Sequence, residues 1–145
     1  VIPNGSTPSA PLRARRREPW ILTAGRFWDE AKNLRVLDQA ARGLGWRISA
    51  AGPVEGPRGG RPSPPSHIEL LGVLSPQALR RAMGRASIYA APALYEPFGL
   101  GVLEAAQCGC ALVLADIPTF REIWADAAEF VDPRDPRAWH KCLED

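Results

Sequence analysis

The sequence has 145 residues, which suits one domain with one hydrophobic core. Eighteen Lys and Arg against 16 Asp and Glu leave a net charge of +2, which excludes a dedicated nucleic-acid surface with its concentrated cations. No apolar run reaches the roughly 18 residues of a membrane span, and no signal peptide is read.

Residues 1–19 are rich in Pro, Ser and Arg and read as a linker end and loop before a domain at 20–145. The one basic cluster, Arg13, Arg15, Arg16 and Arg17, is expected to be a solvated loop. Trp20 to Ala24 is an apolar run closed by Gly25, which predicts a buried strand. Leu34, Leu37, Ala40 and Ala41 have helical spacing, and Gly43 with Gly45 stops that helix. Arg47 to Ala51 predicts a second strand, Gly52 to Ser66 a Gly- and Pro-dense loop, and Ile68 to Leu71 a third strand. Ser75-Pro76 opens a helix with Ser as N-cap and Pro in the first turn. Ile88 to Pro92 is the fourth strand, followed by a helix from about Gly99 to Cys108 that Gly109 ends. Ala111 to Ala115 is the fifth strand. Thr119 and Glu122 have capping-box spacing, so a helix is expected to start there with Glu122 as a cap. Phe130-Val131 is a last short strand, and Asp135-Pro136 opens a final helix.

Continuous apolar strands alternating with helices predict an α/β fold: a Rossmann-like, three-layer domain with a parallel sheet of about six strands and helices on both faces. In such folds ligands sit beyond the carboxyl ends of the strands. Here that rule selects Gly25-Arg26, Gly52-Pro53, Gly72 to Leu74, Ala93 to Gly101 and Asp116 to Thr119. Five Trp are expected mainly in the core. Cys108, Cys110 and Cys142 lack framework spacing and read as reduced thiols of a cytoplasmic protein. With only His67 and His140 beside them, no metal site is expected. The chain opens with Val1 rather than Met and stops at Asp145 within an expected helix, so it reads as a piece of something longer.

The most informative segment is Tyr95-Glu96-Pro97-Phe98-Gly99-Leu100-Gly101-Val102-Leu103-Glu104. Glycines at a helix start let a ligand approach the backbone, and the exposed N–H groups of the positive helix end favour a phosphate or a polyol. Ionised carboxylates accept hydrogen bonds from sugar hydroxyls, a ribose diol included. Glu96 and Glu104 could therefore hold two polyol parts of one ligand. Eight residues of continuous helix would span about 12 Å, so the pair is not implied to flank one scissile bond as glycosidase carboxylates do.

This segment resembles the Glu, seven residues, Glu signature of the retaining family-four (group 1) glycosyltransferases, which include sucrose synthase-like and mannosyltransferase enzymes. The likeness continues in order through Val1 to Gly5, Ala24-Gly25-Arg26, Lys32-Asn33, Ala51-Gly52-Pro53, Leu71 to Ser75, Pro118 to Ile123 and Phe130 to Pro133. It implies the C-terminal donor-binding domain of a two-domain GT-B fold, with a nucleotide sugar as substrate and no metal or other cofactor. It also implies an N-terminal domain of the same chain as partner, supplying the acceptor site and a His near the reacting sugar. Peripheral contact of the parent with a membrane is compatible with it. In that family Arg26 and Lys32 would neutralise the donor diphosphate, and Glu104 would take the ribose hydroxyls. Glu96 would be the catalytic residue at the transferred sugar, with the N–H groups of Phe98, Gly99 and Leu100 on the sugar or its phosphate. Val73 and Leu74 would border the base.

Two features depart from the family pattern. Asp29 and Glu30 lie between Arg26 and Lys32, where acids do not help a diphosphate unless they point away. The loop from Val54 to Ser66 is longer and richer in Pro than the pattern requires. Read without the resemblance, Glu104 is an exposed helix residue, Glu96 a loop acid, Arg26 a strand-end cap and Lys32 a solvated residue at a helix start. Tyr95 either lines the site or packs. A non-catalytic nucleotide-binding domain and half of a sugar-nucleotide epimerase are the alternative functions of such a fold.

Overall fold

The computed structural model describes residues 16–145. The readings at Val1 to Gly5, Arg13 and Arg15 lie outside the described residues. In chain order the elements are β1 (Glu18–Ala24), α1 (Leu34–Ala41), β2 (Arg47–Ala51), β3 (Glu69–Gly72), α2 (Pro76–Arg85) and β4 (Ala86–Ala91). They continue with α3 (Leu100–Gln107), β5 (Ala111–Ala115), α4 (Pro118–Trp124), β6 (Glu129–Val131) and α5 (Pro136–Glu144). The strands form one six-stranded sheet in the order β3-β2-β1-β4-β5-β6, and every neighbouring pair is parallel. This is the three-layer, Rossmann-like α/β arrangement expected. Among the described residues no helix is long and apolar enough to cross a membrane.

The central parallel strands are covered on both faces, so their inner residues are mostly apolar rather than alternating, with Thr23 and Ser49 as buried polar exceptions. Ile21 and Leu22 of β1, Ile48 of β2, Ala90 of β4 and Leu114 of β5 are essentially inaccessible. Helix α1 packs on α5, and α2 on α3. His140 of α5 reaches the Ala40 carbonyl of α1 at 2.7 Å. The long loop after β2 is tied back to α1, because Asp38 accepts the N–H groups of Ser66 and His67 at 3.1 and 2.7 Å.

Capping signals place two helix starts correctly. Ser75 accepts from the Ala78 N–H, and Asp135 from those of Arg137 and Ala138. The third differs. Helix α4 opens at Pro118 after Ile117, with no side-chain cap, so Thr119 and Glu122 lie inside it and Glu122 is exposed. Proline in the first turn supplies a fixed φ where no N–H is required, and this replaces the capping box. A short 3-10 turn at Glu30–Lys32 was not expected from the sequence.

Strand β1 also starts earlier than its apolar run, at Glu18, whose backbone pairs with Ala86 of β4 and whose side chain is ion-paired. Its carboxylate meets Arg85 at 2.6 Å and Arg47 at 3.0 Å, and Arg85, then Arg47, holds it below the usual carboxylate range. Arg17 corrects the expectation of a solvated basic loop. Its guanidinium donates to the Met83 carbonyl at 3.2 Å, to that of Ala86 at 2.7 Å and to that of Cys108. Those carbonyls lie at the C-terminal ends of α2 and α3, where helices leave acceptors unpaired and a cation is favourable. Replacing Arg17 with Ala should cost roughly 2–3 kcal/mol of folding stability, read by urea unfolding, since the carbonyls lose a charged donor. Replacement of the neighbouring exposed Arg16 should cost almost nothing, and equal losses at the two positions would contradict this role.

Candidate active site

The strand order reverses between β1 and β4: the chain lays β2 and β3 on one side of β1, then returns to the other. The segments leaving those two strands diverge and open a crevice at their carboxyl ends. Gly25 lies in its floor, braced from below by the ends of β2 and β3. The Gly25 N–H bonds the Ala51 carbonyl at 3.0 Å, the Gly52 N–H that of Gly72 at 2.8 Å, and the Phe27 N–H that of Pro53 at 2.9 Å. Gly52 has φ +139°, and a Cβ there would overlap the Gly25 carbonyl oxygen, so only glycine fits.

Asn33 draws the two walls together. It adopts the left-handed conformation at φ 58°, and its amide donates to the carbonyls of Pro92 at 2.9 Å and Pro133 at 2.8 Å. The Leu94 N–H returns a bond to the Ala31 carbonyl at 2.8 Å. These bonds hold the turn after β1 against the segment after β4 and bring Lys32 to Glu96, 64 residues apart in sequence. Lys32 Nζ and Glu96 Oε2 lie 2.5 Å apart, with side chains only 17% and 21% exposed. Glu96 Oε1 also accepts the Gly99 N–H at 3.3 Å, at the start of α3.

The resulting cleft has a volume of about 560 Å³, and Arg26, Lys32, Tyr89, Glu96, Gly99 and Gly101 are among the residues lining it. Of the acids between Arg26 and Lys32, neither reaches toward those two cations in an ion pair. Asp29 is engaged in capping the 3-10 turn through the Ala31 N–H at 3.0 Å, and Glu30 is exposed. The exposed Arg26 guanidinium lies over the Trp28 ring, 5.6 Å from its centroid. The Tyr89 hydroxyl donates to the Ala24 carbonyl at 3.3 Å from the floor. Burial, with the charges of Glu96 and Glu104 adding to it, pushes that phenol above the ordinary tyrosine range, so it remains a neutral donor.

Glu104, the fifth residue of α3, lines a different cavity of about 270 Å³ with Leu74, Leu79, Arg80, Gln107 and Cys108. Helix α3 therefore lines one cavity with its first turn and the other with its second, with Glu96 at the first and Glu104 at the second. Phe98 and Leu100 stand half exposed at the rim of the larger cleft, Tyr95 lines it at 67% exposure, and Val73 projects outward. Burial raises the thiols of Cys108 and Cys110, the latter to about 11, so neither is an activated nucleophile. Among the described residues no group of three His, Cys, Asp or Glu is placed to hold a metal ion.

Several contributors escaped the sequence reading. In the sequence Asn33 reads only as half of the Lys32-Asn33 pair, although Asn is among the non-glycine residues most tolerant of positive φ. Tyr89 was hidden inside an apolar strand. Trp28 stacks beside the cleft and Trp46 is 40% exposed, whereas Trp20 and Trp139 are in the core as expected.

Residues 18–145 match the family model described as "Glycosyl transferases group 1". An O-antigen chain mannosyltransferase B from Escherichia coli is 27% identical over 125 residues, covering 86% of this chain and 27% of that protein. The chain thus spans about a quarter of that relative. Among solved structures, sucrose-phosphate synthase from Thermosynechococcus elongatus superposes with a TM-score of 0.72 at 20% identity, over 92% of this chain and 36% of that one. HepE from Anabaena, in complex with UDP and glucose, gives 0.70 at 16% identity, over 86% and 37%. These structures share the fold.

The contact between α3 and the cleft floor is testable. A Cβ on Gly101 would lie 2.7 Å from the Tyr89 hydroxyl oxygen. Gly101→Ala should destabilise by about 1–3 kcal/mol through this overlap, despite the roughly 0.5–1 kcal/mol that alanine gains over glycine in a helix. Tyr89→Phe alone should cost about 1 kcal/mol, for one lost hydrogen bond. Combined, the two should cost less than Gly101→Ala alone, because the clashing oxygen is gone. Additive losses in thermal unfolding would show that the overlap is not what excludes alanine.

Proposed function

The chain belongs to the group 1 glycosyltransferases, and on that premise we propose that it is the nucleotide-sugar-binding domain of a retaining hexosyltransferase whose acceptor is held by a second domain. The observation that carries this reading is the convergence of Lys32, Glu96 and the α3 N-terminus in one cleft, with Glu104 one turn further along the same helix. A diphosphate sugar has the matching order of parts: sugar, phosphates, ribose and base. The UDP and glucose bound to HepE support a nucleotide and a hexose as ligands. The name of the curated relative makes a mannosyl donor the first to test.

In this reading Arg26, Lys32 and the N–H groups at the start of α3 neutralise the diphosphate as it leaves, which needs no divalent metal. Phe98, Gly99 and Leu100 contribute those backbone donors. Glu96 accepts from a hydroxyl of the transferred sugar and fixes its orientation. Glu104 accepts from the ribose diol, and Val73 with Leu74 borders the base.

Arg26→Ala and Glu104→Ala should differ in kind. Loss of Glu104 should weaken binding of nucleoside and nucleoside diphosphate alike, by roughly 1.5–3 kcal/mol, the worth of a hydrogen bond to a charged group. Loss of Arg26 should weaken only the diphosphate. Calorimetry in which both variants affect the bare nucleoside equally would contradict the assignment, as would binding that vanishes with a chelator.

For the reaction itself, the full-length protein should form a product that keeps the donor's anomeric configuration. Residues 1–145 alone should bind nucleotide without turning over, since one wall of the site belongs to the second domain. An inverted product, a sugar covalently trapped on Glu96, or multiple turnovers by the 145-residue chain would each contradict part of this account.

A further inference from the structure

One carboxylate in the cleft occupies the places that a phosphate would take. Glu96 Oε1 accepts the Gly99 N–H at 3.3 Å, at the positive end of α3, and Oε2 holds Lys32 Nζ at 2.5 Å. These two donors are the ones the proposed reading assigns to the ligand. The other acid lining the cleft, Asp29, is held by the backbone of its own turn. Arg26 takes part in none of the ion pairs among the described residues. Glu96 alone therefore stands between an incoming phosphate and Lys32.

We propose that Glu96 is an internal stand-in for the ligand's phosphate: it occupies Lys32 and the α3 N-terminus in the empty site and competes with the spent nucleoside diphosphate for both. The inference rests on the cleft being the donor site. The single Gly99 N–H cannot serve a carboxylate and a phosphate at once, and the Lys32 ammonium could hold both only against their like-charge repulsion. Donor binding therefore displaces Glu96 from the Gly99 N–H and weakens its hold on Lys32. An intact donor compensates, because its sugar hydroxyls offer the carboxylate new hydrogen bonds. The nucleoside diphosphate left after transfer offers none, so Glu96 returns to Lys32 and weakens the product's hold. The same side chain that orients the sugar thereby discriminates substrate from product.

Glu96→Gln isolates the charge, because its amide oxygen can still accept the Gly99 N–H while the negative charge that holds Lys32 is removed. Calorimetric titration of the full-length protein with UDP and GDP should show the variant binding roughly three- to tenfold more tightly than wild type, the range expected from releasing a half-buried ion pair. Uridine and guanosine should bind as before. Glu96→Ala should shift diphosphate binding in the same direction, which guards against an unforeseen contact of the glutamine amide. In a Lys32→Met background the gain should disappear. Folded variants that bind UDP and GDP no more tightly than wild type, or a gain that survives Lys32→Met, would overturn the proposal while leaving the donor-site reading intact. Failure of wild type and variants alike to bind either diphosphate would overturn both.

Discussion

Strand β1 is early in the chain and central in the sheet, and the cleft depends on that arrangement. With β2 and β3 built on one side and β4, β5 and β6 on the other, the connections leaving β1 and β4 lead to opposite halves of the sheet and leave a crevice at its switch point. No side chain has to be sacrificed from the core to make the opening. Ile21 and Leu22 stay fully buried while Ala24 and Gly25, two to four residues further on, already line the cleft. The floor can then be made of backbone. Hydrogen bonds at Gly25, Gly52 and Phe27 lace the ends of β1, β2 and β3 together, and the Gly52–Gly25 approach permits no side chain between them.

The cleft above that floor raises an electrostatic problem, since it holds cations that are costly to bury alone. Lys32 keeps less than a fifth of its side-chain exposure. Without Glu96 its ammonium would lose much of its hydration and gain no counter-charge. The ion pair solves this for the empty protein, and Asn33 sets its geometry by bonding to both Pro92 and Pro133. Arg26 avoids the difficulty differently, staying exposed with its guanidinium over an indole ring. The two cations are thus held differently: Lys32 by a carboxylate, and Arg26 by an aromatic face and solvent.

Most of the architecture was legible because it follows from local chemistry. β2 and β5 begin and end at the residues that the apolar runs indicate, and α2 and α5 open at their Ser-Pro and Asp-Pro signals. These features depend on a residue's immediate neighbours. What could not be read depends on contacts far along the chain. Arg17 looks like one more cation in a basic stretch until the carbonyls of Met83, Ala86 and Cys108 come to it. Tyr89 looks like strand filler until α3 passes over it with a glycine. In the site, the Glu96–Glu104 spacing was visible, and so was the glycine-rich turn. The pairing of Glu96 with Lys32 was not, because no pattern in either segment refers to the other.

The position of the two glutamates argues for a division of labour rather than a shared reaction centre. Carboxylates that act together on a glycosidic bond face one another across it, with about 5–10 Å between them. Here the first glutamate precedes α3 and turns into the larger cleft, while the second follows in the helix and lines the smaller cavity beside Leu74 and Arg80. The backbone between them is the first turn of α3, whose N–H groups point back toward the helix start. A ligand reaching from one glutamate to the other must therefore pass that positive end. Its middle section should be anionic for that passage to be favourable, and each end should carry hydroxyls for a carboxylate to accept. On the donor-site reading proposed above, the helix thus favours a ligand in the order polyol, anion, polyol, independent of which sugar or base completes it.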